Sequence, residues 1–237
     1  MQSAPGGCPD SSLRPSRDPV RRRYRGEVPG PDAASAVGLP LAESVYVHLR
    51  RQIVHLELAP GEPLFPDAVA AATRSGPAPV RHALARLVAD GLLLTAPAGA
   101  AVVAPLTVRD VHELFVIWAD VGAEILTCAA TAMTDDEIRR VLDAGAGTAR
   151  PHDTWSLLAE GCGDERLRLE FRRLDPHLER VFTLAFSRAP GRLGTGTVEG
   201  LAEHLRRRDL PALRAGFLAH QDAVHRTVVA VLEDPAP

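Results

Sequence analysis

The chain has 237 residues, 46% of them hydrophobic and 24% charged, which excludes a disordered or fibrous protein and allows one large or two small globular domains. All 27 basic residues are Arg, and 30 acidic residues outweigh them, so the formal net charge of −3 excludes a uniformly basic, nucleic-acid-coating protein; any DNA contact must come from a local patch. Three widely spaced cysteines (Cys8, Cys128 and Cys162) exclude a disulfide framework. No secretory leader is read at the start, and no apolar run reaches the roughly 18 residues of a membrane span. The expected location is the cytoplasm, with no membrane partner.

Residues 1–38 are rich in Pro, Gly, Ser and Arg and have no hydrophobic period, so a disordered tail is expected. Its cluster Arg21-Arg22-Arg23-Tyr24-Arg25 reads as a solvated tail or as an arm that tracks DNA. Periodic structure begins at Leu41, where Val45, Leu49, Ile53 and Leu56 recur at helical spacing and predict a helix to about Leu58. Pro60-Gly61 ends it. A short Ala-rich helix is expected over Pro66–Thr73, then a turn at Arg74-Ser75-Gly76-Pro77-Ala78, then a third helix from Pro79 to Asp90. That helix is expected to bury Val80, Ala83, Leu84, Leu87 and Val88, with Gly91 as its cap. Leu92–Thr95 and Ala101–Ala104 flank a tight turn and predict a β-hairpin. Three helices followed by a hairpin is the layout of a winged helix-turn-helix, whose third helix enters the major groove.

From Thr107 the pattern is helical throughout. Val111, Leu114, Phe115, Trp118, Val121 and Ile125 make one apolar stripe, and Thr134-Asp135-Asp136-Glu137 is a capping box that opens the next helix. Further helices are expected over 153–161, 164–187, 197–207 and 210–232. The longest should kink at Pro176, where Asp175 and His177 can satisfy the freed backbone groups. The fold class is therefore mainly α: a winged helix-turn-helix over 39–105, an all-helical antiparallel bundle over 106–232, and a short tail over 233–237. No catalytic constellation is present, since Gly194-Thr195-Gly196 lacks the rest of a phosphate loop and Cys162 has no base at a useful spacing. The chain is not expected to be an enzyme; a cluster of acid and base groups in one cavity, beyond His220 alone, is what an enzyme would need.

The stretch VYVHLRRQIVHLELAPGEPL…VAAATRSGPAPVRHALARLVADGLL resembles the DNA-binding head of the GntR family. LTVRDVHELFVIWADVGAEILTCAA, DTWSLLAEGCGDERLRLEFRRL and HLRRRDLPALRAGFLAH resemble, in order, segments of the FCD ligand domain of its FadR-like branch. The resemblance runs from about Leu41 to Leu232. It implies a transcription regulator that binds a double-stranded DNA operator as a homodimer and changes its grip when a small carboxylate or lipid-like effector binds in the helical domain. Arg81 matches the family's DNA contacts by position; Arg74, Ser75, Thr73, His82, Arg86 and Arg50 are further candidates, although Arg86 reads equally as a helix-face partner of Asp90.

The chain departs from the family pattern at several points. Asp67 stands where an Arg is common, Gly76-Pro77 where a Ser-Arg pair is common, and the wing Thr95-Ala96-Pro97-Ala98 has no base. Over residues 40–104 the Arg residues at 50, 51, 74, 81 and 86 balance acids at 43, 57, 62, 67 and 90. Many FCD domains hold a divalent metal, but here Pro151, Trp155 and Val198 fall on ligand positions and only His220 matches. No cofactor is expected, with a metal on His220, Asp153 and His152 as a remote variant. The effector pocket is expected around His220, Trp155, Asp153 and Trp118, the two Trp reading equally as core. The alternative function is a protein-interaction or ligand-sequestering module of the same fold that has lost sequence-specific DNA binding. A contiguous positive face of Arg50, Arg51, Arg74 and Arg81 favours DNA; Arg residues scattered and paired with acids favour the alternative.

Overall fold

The computed structural model describes residues 40–97, 100–146, 151–188 and 197–233. The tail expected over 1–38 with its arginine cluster, the tip of the hairpin at 98–99, and residues 234–237 lie outside the described residues, as does the side chain of His152.

The N-terminal unit is built from α1 (Leu41–Val54), β1 (Pro63–Leu64), α2 (Pro66–Thr73), α3 (Pro77–Ala89), β2 (Leu93–Thr95) and β3 (Ala101–Val103). The strands form an antiparallel sheet in the order β1-β3-β2, with Thr95 opposite Ala101 and Leu64 also opposite Ala101. Helix α1 stops earlier than the expected Leu58. The reason is Leu56, whose φ of 59° breaks the helix and lets the Leu58 amide reach back to the Gln52 carbonyl, burying Leu58. Glu62 N–H donates to Ala59 O across Pro60-Gly61, with Gly61 at φ 81°, a type II turn that needs the glycine. The third helix begins at Pro77, not Pro79, because Gly76 is extended and leaves Pro77 in the first turn, where its missing N–H costs nothing. It ends in a Schellman motif: Leu92 N–H donates to Leu87 O, Gly91 N–H to Val88 O, and Gly91 takes φ 73°.

The core of this unit is aliphatic. Val45, Leu49, Ile53, Leu64, Val69, Val80, Leu87 and Leu92 are buried together. Each such side chain contributes about 1.5–3 kcal/mol by leaving water, which is what sets α3 rigidly against α1.

The remainder is helical: α4 (Val108–Ala132), α5 (Asp135–Ala146), α6 (Pro151–Gly161), α7 (Glu165–Arg188), α8 (Thr197–Arg207) and α9 (Leu210–Glu233). The capping boxes at Thr107/Asp110 and Thr134/Glu137 form as hydrogen-bonded pairs. Helix α7 continues through Pro176. By length and composition α4 is apolar enough to cross a membrane, contrary to the reading of the sequence. It is instead the central helix of the bundle, with Val111, Phe115, Trp118, Ile125 and Leu126 buried against α9, α7 and α6. Gly122 lets α9 approach: a Cβ there would sit 2.3 Å from Phe217 Cζ.

Candidate functional site

Two regions carry chemistry. The first is the exposed face of α3. Ala78, Arg81, His82 and Ala85 face solvent. Arg81 forms no ion pair among the described residues, and neither does Arg74, which closes α2 in a left-handed conformation at φ 50°. A long cation between two alanines suits a groove, since Ala leaves room for close approach and Arg reaches a guanine edge or a phosphate.

The other head residues singled out from the sequence are placed differently. Thr73 is buried and its hydroxyl donates to Val69 O at 2.8 Å; Ser75 is buried and its hydroxyl donates to Thr73 O at 3.3 Å. These two brace the turn between α2 and α3. Arg86 pairs with Glu43 on α1, not with Asp90, and its guanidinium lies 3.7 Å from the centre of the Tyr46 ring. The Tyr46 hydroxyl in turn donates to Asp90 at 2.8 Å. Arg50 faces the bundle and pairs with Asp175 on α7. Of the face expected to favour DNA, Arg51, Arg74 and Arg81 are exposed, while Arg50 is turned away.

The second region is a cavity of about 470 Å³, counting space open to solvent, between α4, α6, α7 and α9. Its walls are aromatic: Trp118, Trp155 and Phe217 stand within 4.7–5.7 Å of one another, centre to centre, and Phe171 is 5.8 Å from Trp118. Phe115 and Phe182 complete them. Its polar groups are Asp175, His220 and Gln221. Trp118, Trp155 and His220 thus meet in the cavity; Asp153 does not line it. Two ionisable groups face the space, His220 and Asp175, and burial holds His220 below the ordinary imidazole range. Among the described residues no three His, Cys, Asp or Glu side chains group so as to hold a metal. Gln221 donates from Nε2 to the Phe115 carbonyl at 2.6 Å, which fixes its orientation; its Oε1 is buried and accepts no hydrogen bond from the described residues.

Asp175 and Gln221 are the polar cavity residues that sequence reasoning missed, and what surrounds Asp175 was missed with it. From α7 Asp175 lines the cavity and reaches Arg50 Nη2 at 3.4 Å. Two residues on, His177 Nε2 lies 2.9 Å from the carbonyl oxygen of Asp90, at the end of α3. One turn further, the buried Arg180 donates to Ala104 O just after β3, and burial pulls its guanidinium down to about 10. One stretch of α7 therefore touches the cavity and three points of the N-terminal unit.

The family model described as bacterial regulatory proteins, gntR family, matches residues 41–103. No curated protein matches the chain. Among solved structures, McbR/YncC of E. coli is 18% identical, with a TM-score of 0.65 over 83% of this chain and 99% of that one. A protein described as transcriptional regulator GntR, from Rhodococcus sp. RHA1, is 17% identical, with a TM-score of 0.64 over 80% of this chain and 97% of that one. At such identities the likeness is one of fold. Residues 41–103 thus match the model of the gntR family of bacterial regulatory proteins and fold as a winged helix-turn-helix, and a helical domain follows them in the arrangement of those solved neighbours.

Proposed function

We propose that the chain is a cytoplasmic, operator-binding transcription regulator whose grip on double-stranded DNA changes when a small molecule occupies the helical domain, itself of the FCD type. In this reading the head comprises residues 39–105 and the effector and dimerisation domain 106–232. The observation that carries it is the solvent face of α3, where Arg81, between Ala78 and Ala85, has no acidic partner among the described residues. Two-fold operators require paired heads. Val116 and Ile117, 56% and 52% exposed on α4, offer an apolar strip for a second copy. The chemistry is a shift of population between head arrangements, with no bond made or broken.

The alternative, a module that no longer reads DNA, draws on the pairing of Arg50 and Arg86 with acids, which leaves the head with few cations to offer. Selection of bound duplexes from a random pool decides between them. The regulator yields a two-fold motif that vanishes with Arg81→Ala; enrichment of nothing, even at low salt, means that the head does not read sequence.

A further inference from the structure

Two Trp, two Tyr and six Phe are all the aromatic residues of this chain, and both Trp and four of the Phe face this cavity. They gather at one place in a core built elsewhere from Leu, Val and Ala, and a small cavity remains between them. We propose that the cavity is a receptor site for an apolar organic ammonium ion, whose cationic group takes the Asp175 carboxylate from Arg50 of the DNA-binding head.

The lining selects for that charge. Aromatic faces are electronegative and attract cations, the more so where water is excluded. Among the described residues no Arg lines the cavity, and burial disfavours the charged form of His220, while Asp175 brings a carboxylate, so the lining leans negative. A carboxylate ligand would meet repulsion there and find no cation to answer it. Gln221, only 6% exposed, has its Oε1 without a donor among the described residues and adds an acceptor whose complement is an ammonium N–H.

The same carboxylate ties the bundle to the head. At 3.4 Å the Arg50 contact is long for a charged hydrogen bond, and Arg50 is 32% exposed, so water can take its place. An ammonium ion in the cavity competes for Asp175 and leaves the head held by His177 on Asp90 O and Arg180 on Ala104 O. Coupling of this kind is reciprocal: whatever Arg50 loses when the ligand binds, the ligand gains when Arg50 is absent.

The proposal rests on reading the bundle as an effector domain, but its test needs no DNA. Phenethylammonium, phenylpropionate and phenylethanol are titrated into the full-length protein and tryptophan emission is followed, both Trp residues being cavity walls. The expected result is a saturable change with phenethylammonium and none with phenylpropionate. Asp175→Asn weakens the amine roughly tenfold or more, and Arg50→Ala tightens it several-fold. Because Arg50 is partly exposed on the head, that second variant stays informative if Asp175→Asn does not fold. Equal or tighter binding of the carboxylate, no saturable response to the amine, or an amine affinity that falls or stays put in Arg50→Ala overturns the proposal. A protein that binds the amine yet enriches no duplex would instead fail the regulator reading and leave this one standing.

Discussion

The head and the bundle spend their large side chains in opposite ways. In the head, Leu49, Ile53, Leu64, Leu87 and Leu92 close a core with no exposed surface left on any of them, and even the cation Arg86 is drawn onto Tyr46 and Glu43. In the bundle, the buried rings of Trp118, Trp155, Phe171 and Phe217 lean on one another around a small cavity, and a buried acceptor of Gln221 is unmet among the described residues. A reading head must hold its helix still, since a displaced α3 misses its base edges. A sensing domain must stay incomplete until something enters it. The stretch of α7 from Asp175 to Arg180 is where the two requirements meet.

That contrast can be broken from either side. The head should suffer most from removal: Leu87→Ala is expected to cost about 2–5 kcal/mol, the range for a buried Leu whose site cannot collapse, measured by denaturant unfolding. A loss under about 1 kcal/mol would mean that the head core is looser than described. The bundle should suffer from filling: Gly122→Ala puts a methyl group against Phe217 and is expected to cost about 1–3 kcal/mol while pushing the ring toward the cavity. Its second signature is a changed tryptophan emission, since Phe217 touches both Trp rings. An unchanged spectrum would show that the ring moves elsewhere.

Smaller effects sharpen the comparison. Arg86→Ala removes a half-exposed ion pair and a cation–π contact, together about 1 kcal/mol, and should leave DNA binding nearly intact once the lower stability is allowed for. A loss of DNA affinity as large as that of Arg81→Ala would put Arg86 on the DNA face after all. Last, His48, His177, His220 and His225 are all held below the ordinary imidazole pKa of 6.5 by burial. Between 6.5 and their folded values the unfolded chain binds more protons than the folded one, so stability is complete above 6.5 and falls as the pH drops through those values. The denaturation midpoint should therefore be lower at about pH 5.5 than at about pH 7.5; a midpoint that rises on acidification contradicts the burial of these rings.

Local signals made much of the fold legible in the sequence. Pro66–Thr73 is bounded by a proline at its start and the turn Arg74-Ser75-Gly76-Pro77-Ala78 at its end, and the Thr134 capping box is written in four consecutive residues. What the sequence hid is nonlocal. The two-residue strand β1 exists only because Pro63 and Leu64 pair with β3, nearly forty positions on. Asp175 and His177 read as residues easing a proline in a helix, whereas their partners, Arg50 and the carbonyl of Asp90, lie 125 and 87 positions away. Thr73, Ser75 and Arg86 were legible as polar residues near the recognition helix, but which way each points is decided by packing of α2 and α1 against α3.

The most direct test of where DNA is read is the salt dependence of affinity for a duplex selected by the wild-type protein, measured for Arg81→Ala and Arg50→Ala. Each phosphate that is no longer neutralised lowers the slope of log affinity against log salt by about 0.9. The account predicts weaker binding by Arg81→Ala, with a smaller slope if that side chain rests on phosphate and relaxed sequence choice if it rests on a base, while Arg50→Ala keeps the wild-type slope and motif. An equal decrease of slope in the two variants, or an undiminished affinity in Arg81→Ala, would contradict it.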